Sequence, residues 1–273
     1  MSKLYVVGTP IGNLGDFSPR AVETLEKVDF IAAEDTRVTL KLLNHFGIKK
    51  SMVSYFEHNK RERGEMIAAR ILSGETCALV TDAGMPAISD PGEDLVRLCH
   101  DKGITVESVP GPCAFTTALA LSGFPSGRFT FEGFLSVNKP SRREHLQSLE
   151  NETRTMLFYE APHKLGATLR DMNKHFGNRE IAIVREITKL HEEVIRTTLD
   201  EAVEKYADGS VKGEIVLVIK GAQQQNSDDK MTLDQAIECA KQSVECGMSV
   251  SEAAKQAAKL SGYKKGDIYK ALI

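Results

Sequence analysis

The stretch at residues 79–92, LVTDAGMPAISDPG, constrains this chain more than any other. A short apolar run at 77–80 discharges into a loop with two glycines, two prolines and two aspartates, and a patterned helix carrying Glu93, Leu95, Val96 and Leu98 follows at once. The apolar run suits a strand buried on both faces. The loop at 81–91 exceeds the roughly 2–6 residues that usually join a strand to a helix. In open parallel sheets ligands sit beyond the carboxyl ends of strands, so a small molecule is expected here.

The rest of the first half repeats this order. Strands are expected at 3–7, 29–33, 52–56 and 104–109 as well as 77–80, and five strands alternating with helices make a parallel α/β layer. The first strand ends in GTPIGN (8–13), after which Ser18 and Pro19 have the form of an N-cap and a first-turn proline. This glycine loop lacks the GK[ST] of a phosphate loop and the GxGxxG of a dinucleotide fold, so neither nucleotide reading is supported. The second strand runs into AEDTR (33–37), where Glu34, Asp35 and Arg37 make either a polar site or a helix cap with surface pairing. The third is followed by FEHNK (56–60), where His58 reads as a surface residue. The fifth ends in VPGPCA (109–114), whose prolines force an irregular turn.

GFPSGR (123–128) punctuates the chain and marks a boundary between lobes 1–122 and 123–222. The second lobe carries strands at 129–134, 155–159, 180–185, 193–198 and 213–219, with helices near 142–150, 163–176 and 200–206. Its last strands are joined by short connections, so a mixed sheet is expected. KPSRR (139–143) reads as a basic loop that is either solvated, the commoner case for such runs, or able to meet phosphate, and 223–230 as a polar linker to a helical, helix-turn-helix-like module at 231–273. In that module Ser251 is the expected cap of a helix with an apolar side of Ala254, Ala257, Ala258 and Leu260, Gly262 ends it, and 265–272 forms another. The unit is expected to pack on a helix at 233–244, because short alanine-rich helices are marginal alone.

Length, charge and cysteines narrow the class. At 273 residues two lobes and an appendage are the natural organisation, and no apolar run approaches the roughly 18 residues that span a bilayer. The beginning of the sequence enters a strand pattern with no signal peptide, and the five cysteines are scattered, so a soluble cytoplasmic protein with reduced thiols and no structural zinc is expected. The net charge of −3 divides unevenly: residues 249–273 hold five lysines against Glu252 and Asp267, a local +3 that leaves −6 elsewhere. That end is a basic module.

GTPIGN, AEDTR, VTDAGMPAISDPG and VPGPCA, each after a strand and in this order, resemble the tetrapyrrole-methylase family, and YEAPHK (159–164) and REITKLHEE (185–193) resemble its ribosomal RNA-methylating branch. The resemblance covers about 3–222. Met85 and Ala87 depart from the side chains expected in the pattern, and a loop read through its backbone should tolerate both. The resemblance implies two α/β lobes, a parallel five-stranded sheet and a mixed one, with S-adenosylmethionine between them, a homodimer, and 2'-O-methylation of a decoding-centre cytidine in 16S rRNA. Carried across residue by residue, the cofactor positions are Pro10, Asp82, Ala83, Gly84, Ile88, Pro112, Ala114, Tyr159, Ala161, Gly213 and Glu214. Loops of Gly, Ala and Pro suit that role, since main-chain groups reach a ligand there without side-chain obstruction.

Such a reaction needs alignment, exclusion of water and help for a weakly acidic hydroxyl. Asp35 or Glu34 is the expected base, and Lys189 or Arg37 the cation; for Arg185, Glu186 and Lys189 an ion-pair network is the competing account. Two other readings stand beside this one: a tetrapyrrole C-methyltransferase and a non-enzymatic ribosome-associated RNA-binding protein. A small porphyrinoid gives no reason for a basic appendage, whereas RNA does.

Overall fold

The computed structural model describes residues 2–207, 211–223 and 231–273. The chain divides into two compact units, Met1–Ala222 and Gln223–Ile273. Residues 224–230, most of the expected linker, lie outside the described residues.

The first sheet is wholly parallel, in the order β3-β2-β4-β1-β5, from β1 (Lys3–Val7), β2 (Phe30–Ala33), β3 (Ser51–Ser54), β4 (Cys77–Val80) and β5 (Thr105–Val109). Four helices join them: α1 (Pro19–Lys27), α2 (Thr36–His45), α3 (Lys60–Leu72) and α4 (Glu93–Asp101). The apolar run of β4 is buried throughout and alternates between two cores. Cys77 and Leu79 pack with Ile67, Ile71 and Leu95, while Ala78 and Val80 pack with Leu25 and Leu43. Ser18 caps α1 by accepting a hydrogen bond from the Ala21 amide at 3.1 Å. The third strand ends earlier than the pattern suggests, because the Phe56 amide turns to the Asn59 side chain at 2.9 Å. The second starts one residue late, since the Asp29 carboxylate instead accepts from the Thr76 amide and hydroxyl, each at 2.7 Å.

After α5 (Ala114–Ser122) the chain builds the second sheet, ordered β6-β7-β10-β8-β9, from β6 (Phe129–Phe134), β7 (Thr155–Glu160), β8 (Glu180–Arg185), β9 (Glu193–Thr198) and β10 (Ile215–Ile219). Only β6 and β7 run parallel, so the sheet is mixed. One face is covered by α6 (Lys139–Ser148), α7 (Leu165–Phe176) and α8 (Leu199–Lys205). The other face takes α5, whose Ala118 and Leu119 pack with Leu157, Val184, Val216 and Val218. The helix before the expected boundary at 123–128 thus serves the sheet after it.

KPSRR is not a loop. It is the first turn of α6, capped by Asn138 with a proline in the first turn, and Arg142 is turned inward to Asp171 at 2.7 Å and the Thr168 hydroxyl at 2.8 Å. An arginine so engaged is turned away from any phosphate outside. The same Thr168 hydroxyl donates to Glu160, a buried carboxylate that also accepts from the Ala161 amide at 2.8 Å.

The C-terminal unit holds α9 (Leu233–Glu245), α10 (Val250–Ser261) and α11 (Lys265–Leu272) around Ala236, Ala240, Ala253, Ala254, Ala257 and Ile268. The α10 cap is Ser249, not Ser251: its hydroxyl accepts from the Glu252 amide and donates to the Glu252 carboxylate. This was legible as the S-x-x-E spacing of a capping box. Gly262 closes α10 in the left-handed region, but Leu260 is 65 % exposed and lies off the apolar face. Among the described residues no helix is long and apolar enough to cross a membrane.

Two loops of the first lobe meet with no side chains between them. A Cβ on Gly8 would lie 2.7 Å from both the Cα and the amide nitrogen of Gly111, and one on Gly111 would lie 2.9 Å from the Gly8 backbone. Gly8→Ala is therefore expected to cost about 1–3 kcal/mol by overpacking, read as a lower urea midpoint. Gly127→Ala, in open space, is the control and should leave the midpoint unchanged.

Candidate active site

In the first sheet β1 lies between β4 and β5, so the loops that follow these three strands emerge side by side. They are tied together through the backbone. Thr9 and Gly84 exchange two main-chain hydrogen bonds, at 2.9 and 3.1 Å, and the Thr9 hydroxyl donates to the Thr81 carbonyl at 3.1 Å. Met85 joins the third loop, its sulfur accepting from the Gly111 amide at 3.3 Å. Ala87 and Ser89 hold φ of 67° and 64°, a left-handed conformation that costs non-glycine residues about 1–2 kcal/mol each. These bends carry the loop round so that Ile88, Ser89 and Asp90 all face one cavity.

That cavity, about 270 Å³, lies in the cleft between the lobes. The first lobe contributes Ile11, residues 83–85 and 88–90, and Cys113 with Ala114 where α5 begins; the second contributes Phe134, Tyr159, Glu214 and Val216. Cys113 makes no side-chain cap, and of the first amides of α5 that of Phe115 donates to the Tyr159 phenol oxygen. Tyr159 packs against Phe131 and Phe134, with centroids 5.0 and 5.4 Å away, and burial pushes its phenol up to about 12. It is a donor, not a base, at neutral pH.

Two clusters of charge flank the cavity. On the second-lobe side the Lys189 ammonium donates to Glu186 at 2.9 Å and to Glu214 at 3.2 Å, while its stem lies where a Cβ on Gly12 would be, 2.6 Å from Cγ. Glu186 also accepts from the Glu214 amide at 3.0 Å and rests on Gly213, whose missing side chain makes the room. Lys189 is thus a clamp between lobes with its charge already matched. On the first-lobe side Glu34 accepts from the Thr81 hydroxyl at 2.6 Å, and Asp82 accepts from the Asp35 amide at 3.2 Å. Asp35 caps α2, accepting from the Arg37 amide at 2.8 Å, and the exposed Arg37 guanidinium grips it at 2.6 Å; these bonds hold the Asp35 carboxyl down at about 2. A carboxylate so held is a weak base, and the capping alternative describes the geometry of Asp35 and Arg37.

Of the residues singled out in the sequence, Ala83, Gly84, Ile88, Ala114, Tyr159 and Glu214 line the cavity. Pro10, Asp82, Pro112, Ala161 and Gly213 are not among its lining residues, and Glu34, Asp35 and Arg37 line a neighbouring cavity with Thr36, Ser54 and Phe56. The residue sequence reasoning missed is Asp90. Its carboxyl is raised to about 6, first by burial, then by the negative charges of Glu34 and Asp82, against a hydrogen bond from Thr81 that lowers it. Between a serine and a proline just before a helix, Asp90 reads locally as a turn residue; the pairing of β2 with β4 brings Glu34 to it.

Two α/β lobes, a parallel sheet leading into a mixed one, and a cleft cavity walled by the loops after β1, β4 and β5 define the class: the family described as Tetrapyrrole (Corrin/Porphyrin) Methylases matches residues 3–203, and the chain belongs to it. Solved structures agree on the fold. A diphthine synthase superposes with a TM-score of 0.62 at 14 % identity, covering 80 % of this chain and 89 % of that one, and a uroporphyrin-III-C-methyltransferase from Thermus thermophilus with 0.56 at 18 %, covering 81 % and 94 %. The more similar relatives carry a single name, Ribosomal RNA small subunit methyltransferase I. That of Halalkalibacterium halodurans is 45 % identical over 97 % of this chain and 93 % of its own length, and that of Synechocystis 50 % identical over 81 % and 80 %. That of Thermotoga maritima is 49 % identical over 81 % of this chain and 99 % of its own length, a shortfall the size of the C-terminal unit.

Asp90 makes stability depend on pH in a stated direction. Its folded carboxyl titrates at about 6, above the ordinary 3.8, so the ionised form is disfavoured in the folded protein. The cost is full above pH 6 and is relieved as pH falls through 6 towards 4, where the folded state takes up a proton that the unfolded chain does not. Asp90→Asn is expected to raise the thermal midpoint at pH 8 by about 2–4 °C, with the gain gone by pH 4, in paired calorimetric scans.

Proposed function

We propose that the protein methylates the ribose 2'-hydroxyl of a cytidine in 16S rRNA of the small ribosomal subunit, with S-adenosylmethionine as methyl donor. The observation that carries this reading is the cleft cavity, built by the loops of a methylase fold in a chain whose similar relatives are named for small-subunit rRNA methylation. The chemistry of the lining fits the donor. Ile11, Ile88 and Val216 supply apolar wall, main-chain groups of Ala83, Met85 and Ala114 supply hydrogen bonds to ribose and carboxylate edges, and Glu214 supplies negative charge towards a cation. S-adenosylmethionine supplies a methyl group already activated by its sulfonium. The protein's part is to align and desolvate: the backbone-locked loops fix one wall, and the Lys189 clamp holds the β8–β9 loop across the cleft against Gly12. The reading includes a cytoplasmic location, and a homodimer, for which the exposed Phe134 at the end of β6 and the exposed Val137 and Leu190 on second-lobe loops offer apolar surface.

The C-terminal unit has the chemistry of a phosphate-contacting face. Lys255, Lys259, Lys264, Lys265 and Lys270 are all exposed, interleaved with the exposed Tyr263 and Tyr269. A relative matched to 99 % of its length without a fifth of this chain supports an accessory role for it.

The direct test maps ribose methylation on small-subunit rRNA from cells with and without the protein, with transfer of labelled methyl to purified subunits in parallel. One cytidine losing its mark, and regaining it in vitro, is expected; unchanged rRNA with an inert protein overturns the reading. Truncation after Ala222 should leave S-adenosylmethionine affinity unchanged and weaken subunit binding. Its salt slope should be shallower by about 0.7–0.9 for each phosphate that the shortened chain no longer neutralises.

A further inference from the structure

The reaction proposed above needs an acceptor for the hydroxyl proton, and the groups around the cleft differ in their freedom to be one. Asp35 is occupied as a helix cap and gripped by Arg37. Glu214 shares the Lys189 ammonium with Glu186 and stands on the second-lobe wall. Tyr159 holds its proton. Glu34 is engaged by the Thr81 hydroxyl and faces the neighbouring cavity. Asp90 alone among these combines a place on the cavity wall with neighbours of its own sign. The charged and titratable groups that face it are Glu34 from the end of β2, Asp82 from its own loop and Tyr159 from β7, with no cation among the groups that shift it. Thr81, buried beneath the loop, touches both Asp90 and Glu34, so this small cluster of acids lies where the cleft cavity and the cavity of Glu34, Ser54 and Phe56 approach each other.

We propose that Asp90 is the catalytic residue that accepts the proton of the attacking ribose hydroxyl, an inference that rests on the methyltransferase reading. The hydroxyl oxygen forms a bond to the methyl carbon, the carbon–sulfur bond breaks with its electron pair going to sulfur, and the O–H proton passes to the Asp90 carboxylate. Charge closes, since a sulfonium and a carboxylate become a neutral thioether and a neutral carboxylic acid. The two like charges beside Asp90 favour its protonated form, so the surroundings that disfavour the resting anion assist the transfer. Glu34 and Thr81 are then positioning residues: Glu34 sets the local charge, and the Thr81 hydroxyl holds the Glu34 carboxylate in place.

The test uses the full-length protein with purified small ribosomal subunits, and the variants Asp90→Asn and Asp90→Glu. Three quantities are read: affinity for S-adenosylmethionine by calorimetry, turnover from pH 5 to 9, and the carboxyl titrations of aspartate-labelled protein by carbon NMR. Expected are a carboxyl signal that titrates near 6 and is missing in Asp90→Asn, and an acid limb of turnover with the same midpoint. Asp90→Asn should keep its cofactor affinity within about twofold, lose about 10²–10⁴ in turnover together with that acid limb, and be partly restored in Asp90→Glu. An Asp90→Asn protein with wild-type turnover and an intact acid limb overturns the proposal while leaving the methyltransferase reading in place. So does a fall in affinity that accounts for all the lost turnover, which would make Asp90 a ligand for the sulfonium. A wild-type protein inert towards small subunits overturns the underlying reading and the proposal with it.

Discussion

The cleft depends on how closely two stretches of bare backbone approach. Gly8 and Gly111 sit nearer than any side chain allows, and Thr9 and Gly84 close a two-bond bridge beside them. These contacts follow from the strand order: with β1 between β4 and β5, the loops that leave the three strands occupy adjacent space about 5 Å apart. Once joined they form a single rigid wall, in which the amide and carbonyl of Gly84 are both taken up by Thr9. The tolerance of the ligand loop for Met85 and Ala87 has the same origin, although Met85 does more than fill space, because its sulfur takes the Gly111 amide.

Electrostatics then sorts acids that look alike in the sequence. Asp35 and Asp90 each follow a strand and precede a helix, yet one is held near 2 by an arginine two residues away and the other raised to about 6 by burial and by the carboxylates of Glu34, from the end of another strand, and Asp82, from its own loop. The arginine stabilises an anion, whereas burial and the two carboxylates destabilise one. That contrast separates a carboxylate that maintains structure from one whose proton is available near neutrality.

This is also where the sequence stops being legible. The two sheets, their strands and the ligand loops follow from apolar runs, alternation and Gly-Pro punctuation, all local signals, and the mixed second sheet follows from its short connections. Asp90 could not be found in that way, because Glu34, the larger of the two charge effects on it, arrives through sheet pairing of β2 with β4. Lys189 was visible as charge near a strand end, but its clamp on Gly12 depends on how one lobe meets the other. Two local signals do contradict the pattern expected at their positions: Asn138 and Pro140 mark a helix start at KPSRR, and Ser249 with Glu252 mark the cap of α10.

The placement of α5 bears on how the molecule folds and opens. The helix belongs by chain order to the first lobe, yet its buried face completes the apolar core beneath the second sheet. Cut at the glycine after it, neither half would be a finished domain: one would carry an uncovered greasy helix and the other an uncovered greasy sheet. The two lobes therefore share one cooperative core, and the cavity at the start of α5 sits on the seam of that core. A ligand seated there bears on the very element that makes the halves one, so its binding free energy is expressed across both lobes as resistance to unfolding.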